Sequence, residues 1–168
     1  MRITVDSVMA TKPCDDWPRS RVKRWFGSRR YALSTTMLRD ESLDIDDRLW
    51  LGIYLLAPTP RRLYVCECSE RALLRERAQG REPHRATWKA LETSRRYAQG
   101  QCSDDDLLAA ANAAGNAAAR AAYWAAYNAA WSTTDDAARS VDGDAASMLA
   151  EKRWQLGRLI EYHKGEAR

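Results

Sequence analysis

Histidine is scarce in this chain of 168 residues, which contains two histidines and a single phenylalanine. Neither His84 nor His163 belongs to a nucleophile elbow, a P-loop, an HExxH pair or a dinucleotide fingerprint. Eight glycines and five prolines are too few for a collagen-like or low-complexity chain. No run reaches the roughly 18 consecutive apolar residues of a membrane-spanning helix. These absences exclude the fibrous, disordered and membrane-spanning classes, and they favour a protein that is not an enzyme.

The beginning of the chain lacks the apolar run of a signal peptide, since it carries Arg2 and Asp6. We therefore expect a cytoplasmic location and reduced thiols at the four cysteines. Two of these, Cys66 and Cys68, form a C-x-C pair, whereas zinc sites usually use two to four intervening residues. In a helix the two sulfurs would point about 200° apart. The favoured interpretation is a buried thiol at Cys66 and no metal or other cofactor, with zinc as the alternative.

Capping residues and breakers divide the sequence into helices. Thr4, Asp44, and Ser103 with Asp106 are expected to cap three of them at their N-termini. A further helix is expected to start at Thr59-Pro60, and another at the Asp15-Asp16 pair. Nowhere does apolar and polar alternation persist as it does in a strand.

Alanine is the most overrepresented residue, and half of the segment from Asp104 to Trp131 is alanine. Because alanine has the highest helix propensity, this segment predicts one helix about 42 Å long. A stripe of alanines on it would let another helix approach closely, either within the chain or in a homodimer. We expect an all-α fold, a helical bundle of about seven or eight helices in which the alanine-rich helix packs against the C-terminal helix. A basic N-terminal region, 1–58, and an alanine-rich bundle, 59–168, are expected to form one compact unit.

Charge is unevenly distributed, because basic residues exceed acidic ones before residue 101 and acidic residues exceed basic ones after it. The densest basic stretch has no acidic residue within it, which suits a phosphate-bearing or acidic partner. It consists of Arg19, Arg21, Lys23, Arg24, Arg29 and Arg30. An alternative acidic patch, suited to the basic channel of a nuclease, consists of Asp104, Asp105, Asp106, Asp135 and Asp136. A solvated helix face explains the basic stretch equally well, and N-terminal capping explains the first three aspartates.

Four stretches of the sequence carry a resemblance to a known group of proteins. They are Lys12-Pro13-Cys14, the segment from Asp46 to Leu51, the segment from Arg61 to Cys68, and Arg95-Arg96-Tyr97-Ala98. Together they resemble small alanine-rich proteins of phages, prophages and bacteria, some of which are described as immunity proteins. The resemblance implies a non-enzymatic accessory protein that binds and inhibits a protein or ribonucleoprotein target. Immunity to a toxin and counter-defence, such as anti-CRISPR inhibition of a CRISPR effector complex, are the roles it implies.

Direct nucleic-acid binding is the alternative function. The short basic helix near residues 18–26 could contact phosphates, and it also carries Trp25 and Phe26. The segment after Gly27 does not supply the second helix of a helix-turn-helix motif. This alternative is a nucleic-acid-binding accessory or regulatory protein that uses the same basic patch.

Overall fold

The structure is a computed structural model that describes residues 1–13, 16–113 and 145–165. In this part of the chain it contains eight helices and one two-stranded ladder. The helices are α1 (Val5–Ala10), α2 (Arg19–Phe26), α3 (Ser34–Leu38), α4 (Ile45–Leu55), α5 (Pro58–Ala78), α6 (Arg85–Ala98), α7 (Asp104–Ala113) and α8 (Ala145–Lys164). The strands are β1 (Arg2–Ile3) and β2 (Ala32–Leu33). The expected all-α helical fold is confirmed.

Only the beginning of the alanine-rich segment, which was expected to form one long helix, is described, as α7. Ala110 and Ala111 are buried there, with Leu107 one turn earlier. The remainder of that segment lies outside the described residues, as does its expected packing against the C-terminal helix. In the part that the structure describes, no helix combines the length and apolar character needed to cross a membrane.

Helix starts follow local chemistry at three of the expected positions. The Thr4 hydroxyl accepts from the backbone N–H of Ser7, and the Ser7 hydroxyl oxygen accepts from the backbone N–H of Thr4, which completes a capping box. Asp44 accepts from the backbone N–H of Asp46 at 2.8 Å. Ser103 and Asp106 form the third cap, in which the Asp106 carboxylate accepts from the Ser103 backbone N–H at 2.9 Å. Each side chain replaces a hydrogen bond that the first turn of a helix lacks.

Two helix starts differ from expectation. The N-cap of α2 is Pro18, with no side-chain hydrogen bond to the first turn, so the predicted cap at the Asp15-Asp16 pair is wrong at Asp16, and Asp15 lies outside the described residues. The N-cap of α5 is Ala57, and the helix begins at Pro58. A proline suits either position, because it has no N–H to leave unpaired and its φ angle is already close to the helical value.

The short ladder is the element that the sequence pattern did not indicate. β1 pairs antiparallel with β2, with Arg2 opposite Leu33 and Ile3 opposite Ala32. Ile3 and Ala32 are buried, whereas Arg2 and Leu33 are exposed. Two residues in each strand are too few to produce recognisable alternation in sequence, so only the tertiary pairing reveals the ladder.

The chain divides into two compact units, Met1–Leu56 with Leu156–Arg168, and Ala57–Gln155. In the first unit, α4 supplies a buried face that includes Leu49 and Ile53, and Leu159 of α8 belongs to the same core. Gly52 lies where two other helices approach α4 closely, because a β-carbon built there would lie 2.6 Å from a Leu38 methyl and 2.5 Å from a Leu159 methyl.

In the second unit, buried side chains come from α5, α6, α7 and the first part of α8. Cys66 and Leu73 pack with Leu91 of α6, and Trp88 covers this cluster. Tyr64 is completely buried and donates its hydroxyl hydrogen to the backbone oxygen of Gln155 at 3.2 Å. Another side of α5 carries two partly exposed arginines that pair with a buried carboxylate of α8.

That charged contact centres on Glu151 of α8, which is 3% exposed. Its Oε2 atom accepts from Arg71 Nε at 2.8 Å and from Arg75 at 2.6 Å. The Arg71 guanidinium also lies over the Trp154 ring, 4.4 Å from its centroid. A buried carboxylate is tolerated only when it is paired in this way, so the two arginines make the burial of Glu151 possible.

Candidate partner-binding surface

The basic stretch identified in the sequence lies on α2 and on the loop that follows it, within the first unit. Val22 and Phe26, four residues apart, are buried on one side of α2. Lys23 and Arg24 are therefore on the outer side, and both are exposed. Gly27 ends the helix with a φ of 58°, a left-handed conformation that glycine adopts without strain. The chain then runs through Arg29 and Arg30 into β2.

Arg19 and Arg21 are paired within the protein. Arg19 forms an exposed ion pair with Asp6 of α1. Arg21 lies 3.2 Å from an Asp47 carboxylate oxygen and donates to the backbone oxygen of Asp16 at 2.7 Å. Its guanidinium also lies 4.4 Å from the centroid of the buried Trp17 ring. These two arginines therefore have local partners that offset part of their charge.

The Arg29 side chain donates hydrogen bonds to the C-terminal end of α2. Its Nε atom donates to the backbone oxygen of Phe26 at 2.9 Å, and a terminal nitrogen donates to that of Trp25 at 2.6 Å. The guanidinium lies 5.1 Å from the Trp25 ring centroid. Carbonyl oxygens at a helix C-terminus lack intrahelical donors and carry partial negative charge, so this arginine stabilises the end of α2.

The Trp25 indole links the end of α2 to Asp40. It donates to the Asp40 carboxylate at 2.7 Å. Hydrogen bonds from Ser42 and then from Trp25 lower the pKa of Asp40, although partial burial opposes the shift. The Trp25 ring is therefore held between Arg29 and Asp40, which orders the loop that leads to β2.

Three residues of the predicted patch are exposed and make no ion pair or side-chain hydrogen bond with the described residues: Lys23, Arg24 and Arg30. Side chains of this kind keep their full positive charge for an incoming partner. Of the six predicted residues, these three are the best placed to bind.

The outer face of the β1–β2 ladder includes residues that follow Arg30 directly in sequence. Tyr31 is 51% exposed and Leu33 is 49% exposed, and Met1 at the start of β1 is also exposed. Residues opposite each other or two apart on a strand share a face, so Arg2, Tyr31 and Leu33 point the same way. The Arg2 guanidinium lies 4.8 Å from the Tyr31 ring centroid. We call Lys23, Arg24 and Arg30 together with this face, Arg2, Tyr31 and Leu33, the basic–apolar surface.

The sequence did not point to Arg2, Tyr31 and Leu33 as a shared surface. Tyr31 and Leu33 are apolar residues of the kind that normally enters a core, and they flank a buried alanine, so the exposed positions are the larger ones. Only the pairing with β1 turns Ala32 inward and its neighbours outward.

The alternative acidic patch is described in part. Asp104 and Asp105 are exposed in the first turn of α7, and Asp106 is occupied by its cap with Ser103. The backbone and hydroxyl hydrogen bonds from Ser103 lower the pKa of Asp106. Asp135 and Asp136 lie outside the described residues. The aspartates that are described are accounted for by the helix start, where negative charge is favourable.

The cysteine pair is buried in α5. Cys66 is buried, as expected, and packs beside Leu73, and burial raises its pKa to about 12. Cys68 is completely buried near Tyr64, and burial raises its pKa as well. Among the described residues, no three histidine, cysteine or acidic side chains gather as metal ligands do. Because a thiolate is the reactive and metal-binding form, these two cysteines behave as small apolar side chains.

The two histidines occupy different environments. His84 is exposed and caps α6, where its Nδ1 atom accepts from the Ala86 backbone N–H at 3.2 Å. His163 lies in the last turn of α8 and is buried, with its ring bonded to a backbone oxygen of α4. Burial is the main cause that lowers the pKa of His163, and the hydrogen bond to the Gly52 oxygen opposes it.

Comparison of the chain with models of known protein families, with curated proteins and with solved structures found no match in any of the three. The resemblance to alanine-rich phage and bacterial proteins therefore stays a prediction. What supports a function is the chemistry of the basic–apolar surface.

Proposed function

We propose that the protein is a non-enzymatic binder that attaches to an acidic protein surface through its basic–apolar surface. One observation carries this proposal: unpaired basic side chains and exposed large apolar side chains follow one another from the last turn of α2 to the end of β2. Basic groups attract and orient an acidic partner, and apolar groups supply contact area that excludes water. Together they match the composition of a protein interface.

The apolar component distinguishes a protein partner from a nucleic acid. Tyrosine, methionine and arginine are enriched in protein interfaces, where a few such residues carry most of the binding energy. Leu33 is exposed on the same face as Tyr31, and a phosphate backbone offers an aliphatic side chain no favourable contact. A protein partner with carboxylates around an apolar side chain makes use of both components.

Direct nucleic-acid binding is the second candidate. It is supported by the three unpaired basic residues together with an exposed tyrosine ring, the combination that single-stranded nucleic acids use for phosphate contact and stacking. Against it, Arg2 already covers one face of that ring. We therefore place it second.

The consequence of binding that we propose is inhibition. A protein that occupies a partner's surface in a one-to-one complex blocks whatever else binds there. Immunity to a toxin and inhibition of a host-defence complex such as a CRISPR effector are the forms implied by the resemblance given above. Both act by binding alone, without turnover.

A tagged pull-down from bacterial lysate tests the proposal, with and without nuclease, and with the captured proteins identified by mass spectrometry. The test variant combines Lys23→Glu, Arg24→Glu and Arg30→Glu. The matched control reverses the charge of three exposed residues of the second unit, through Arg85→Glu, Lys89→Glu and Arg153→Glu. Both variants change the net charge equally, so only the position of the change differs.

We expect one protein complex to be captured in near-stoichiometric amount, to survive nuclease, and to be lost with the test variant while the control retains it. Leu33→Asn should weaken binding of the purified partner at low and high salt, because it removes an uncharged contact. The charge reversals should matter most at low salt. Capture that disappears with nuclease would favour the nucleic-acid alternative, and equal loss with both triple variants would remove the assignment to this surface.

A further inference from the structure

His163 lies in the last turn of α8 and is 6% exposed, within the first unit. Its Nε2 atom is 2.9 Å from the backbone oxygen of Gly52 in α4. A carbonyl oxygen can only accept, so Nε2 carries the hydrogen and the neutral ring has its lone pair on Nδ1. That Nδ1 atom is buried and has no hydrogen-bond partner among the described residues.

In the described part of the chain, no acceptor is in place for a second proton on the ring. Gly52 is the point of close approach on α4, and the side chains that crowd it, Leu38 of α3 and Leu159 of α8, are both apolar and completely buried. The charged group that acts on the ring from another element is the Met1 amino group at the start of β1, and its charge is positive. Within α8, the neighbouring Glu161 is already paired with Arg158.

The position of His163 links three elements of the first unit. Its ring is bonded to α4, its backbone oxygen accepts from the Met1 amino group at 3.4 Å, and the chain continues from Met1 directly into β1. The Met1 backbone oxygen in turn accepts from the Ser34 backbone N–H at 2.9 Å, at the end of β2. His163 therefore contacts Met1, the residue directly before the first paired residue of the β1–β2 ladder.

We propose that His163 is a pH-sensitive latch, which holds the end of α8 against α4 when its ring is neutral. When a solvent proton binds to Nδ1, this contact and the β1–β2 ladder beside it are released. The proton adds to the lone pair of Nδ1, and no bond other than the new N–H forms. The resulting imidazolium would be buried without an acceptor and close to a second positive charge. Opening the contact hydrates it.

The pKa shift of His163 sets the direction in which pH changes the stability of the fold. Burial and the Met1 charge lower the pKa of His163, and the hydrogen bond to Gly52 opposes them. In the unfolded chain histidine titrates near pH 6.5, so below this value the unfolded chain binds a proton that the folded chain does not. The stabilising contribution is therefore complete above about pH 7 and is lost as the pH falls through 6.5 toward the lower folded value. One proton of difference raises the unfolding constant by at most about tenfold per pH unit.

Two histidines in the chain make the latch directly measurable. In the full-length protein, NMR titration of the ring resonances gives one midpoint for each histidine, and a His84→Gln variant assigns the remaining resonance to His163. We expect the midpoint of His163 to lie below about 6.5, with faster amide exchange at Ile3 and Ala32 as the ring becomes protonated. A midpoint at or above the ordinary histidine value would overturn the proposal, and this measurement does not depend on a variant of His163 folding.

Unfolding by urea at about pH 7.5 and about pH 5.5, on either side of the ordinary histidine pKa, supplies the second readout. His163→Gln keeps a side-chain donor for the Gly52 oxygen and cannot titrate, so its stability difference between the two conditions should shrink relative to the wild type. His84→Gln keeps the latch and should keep that difference. An unchanged difference in His163→Gln would show that other groups cause the pH dependence and would refute the latch.

None of these measurements involves a partner, so the latch stands or fails independently of the proposed function. If the latch and the proposed function both hold, acidification disorders Arg2 and Leu33 of the basic–apolar surface. Binding of the purified partner then weakens below about pH 6.5 in the wild type more than in His163→Gln.

Discussion

Replacing Gly52 by alanine adds one carbon where two buried leucine side chains leave no room for it. That β-carbon would lie 2.5 Å from a Leu159 methyl and 2.6 Å from a Leu38 methyl, which is far inside van der Waals contact. Both leucines are completely buried, so neither can turn its side chain into solvent. The added atom must therefore displace helix α3 or α8, or force a leucine out of its preferred rotamer.

The expected cost combines two opposing effects. Overpacking of a buried site destabilises by about 1–3 kcal/mol. Alanine in place of glycine within a helix stabilises by about 1 kcal/mol. We therefore expect Gly52→Ala to lower the free energy of unfolding by about 1 kcal/mol, with the sign set by the clash.

A double-mutant cycle isolates the clash. Leu159→Ala alone should cost about 3 kcal/mol, because it removes a completely buried side chain and leaves a cavity. In that background Gly52→Ala loses its closer clash while the gain in helix propensity is unchanged. Its effect should therefore be more favourable by about 1 kcal/mol than in the wild type.

Gly157 of α8 is the matched control, since it is also a helical glycine but a β-carbon there would meet nothing within 4 Å. Gly157→Ala should stabilise the protein by up to about 1 kcal/mol. Urea unfolding followed by circular dichroism and tryptophan fluorescence measures all four variants, and coincident transitions check that unfolding is two-state. Additive effects of Gly52→Ala and Leu159→Ala, or a stabilising Gly52→Ala, would refute the argument.

Three further predictions concern other parts of the chain. Glu151→Gln should lower the free energy of unfolding by about 2 kcal/mol, because it leaves two arginines without their shared carboxylate although both still reach solvent, and urea titration measures it. Cys66 and Cys68 should resist iodoacetamide near neutral pH until urea unfolds the protein, whereas the half-buried Cys102 should react before either of them, as peptide mass spectrometry will show. Thr4→Ala should cost about 1 kcal/mol by removing the α1 cap, and a stability equal to wild type would show that Ser7 alone suffices.

The helical character of the chain and several of its helix ends could be predicted from the sequence. Capping depends on residues three or four positions apart, so Thr4 with Ser7 and Ser103 with Asp106 are recognisable without tertiary information. The same locality accounts for the end of α2 at Gly27. The basic stretch was also visible, because it is contiguous.

The candidate surface could be predicted only in part. A sequence shows that Arg19, Arg21 and Arg30 are basic, but it does not show that Asp6 and Asp47 neutralise the first two. These partners come from α1 and α4, so the distinction between a paired and a free cation depends on how the helices pack. The buried His163 illustrates the same limit, since the end of a helix favours a cation whereas the neighbouring α4 removes its water.

The sequence by itself determined the helical character, several helix ends, the charge asymmetry and the lack of familiar catalytic motifs, because these follow from local propensities and composition. Only the tertiary structure decided that Leu33 faces outward, that the residues from Leu156 onward join the first unit, and that His163 meets Gly52. Each of these results depends on contacts between residues far apart in the chain. Such contacts form where side chains fit and apolar surface is removed from water, and no local pattern encodes that fit.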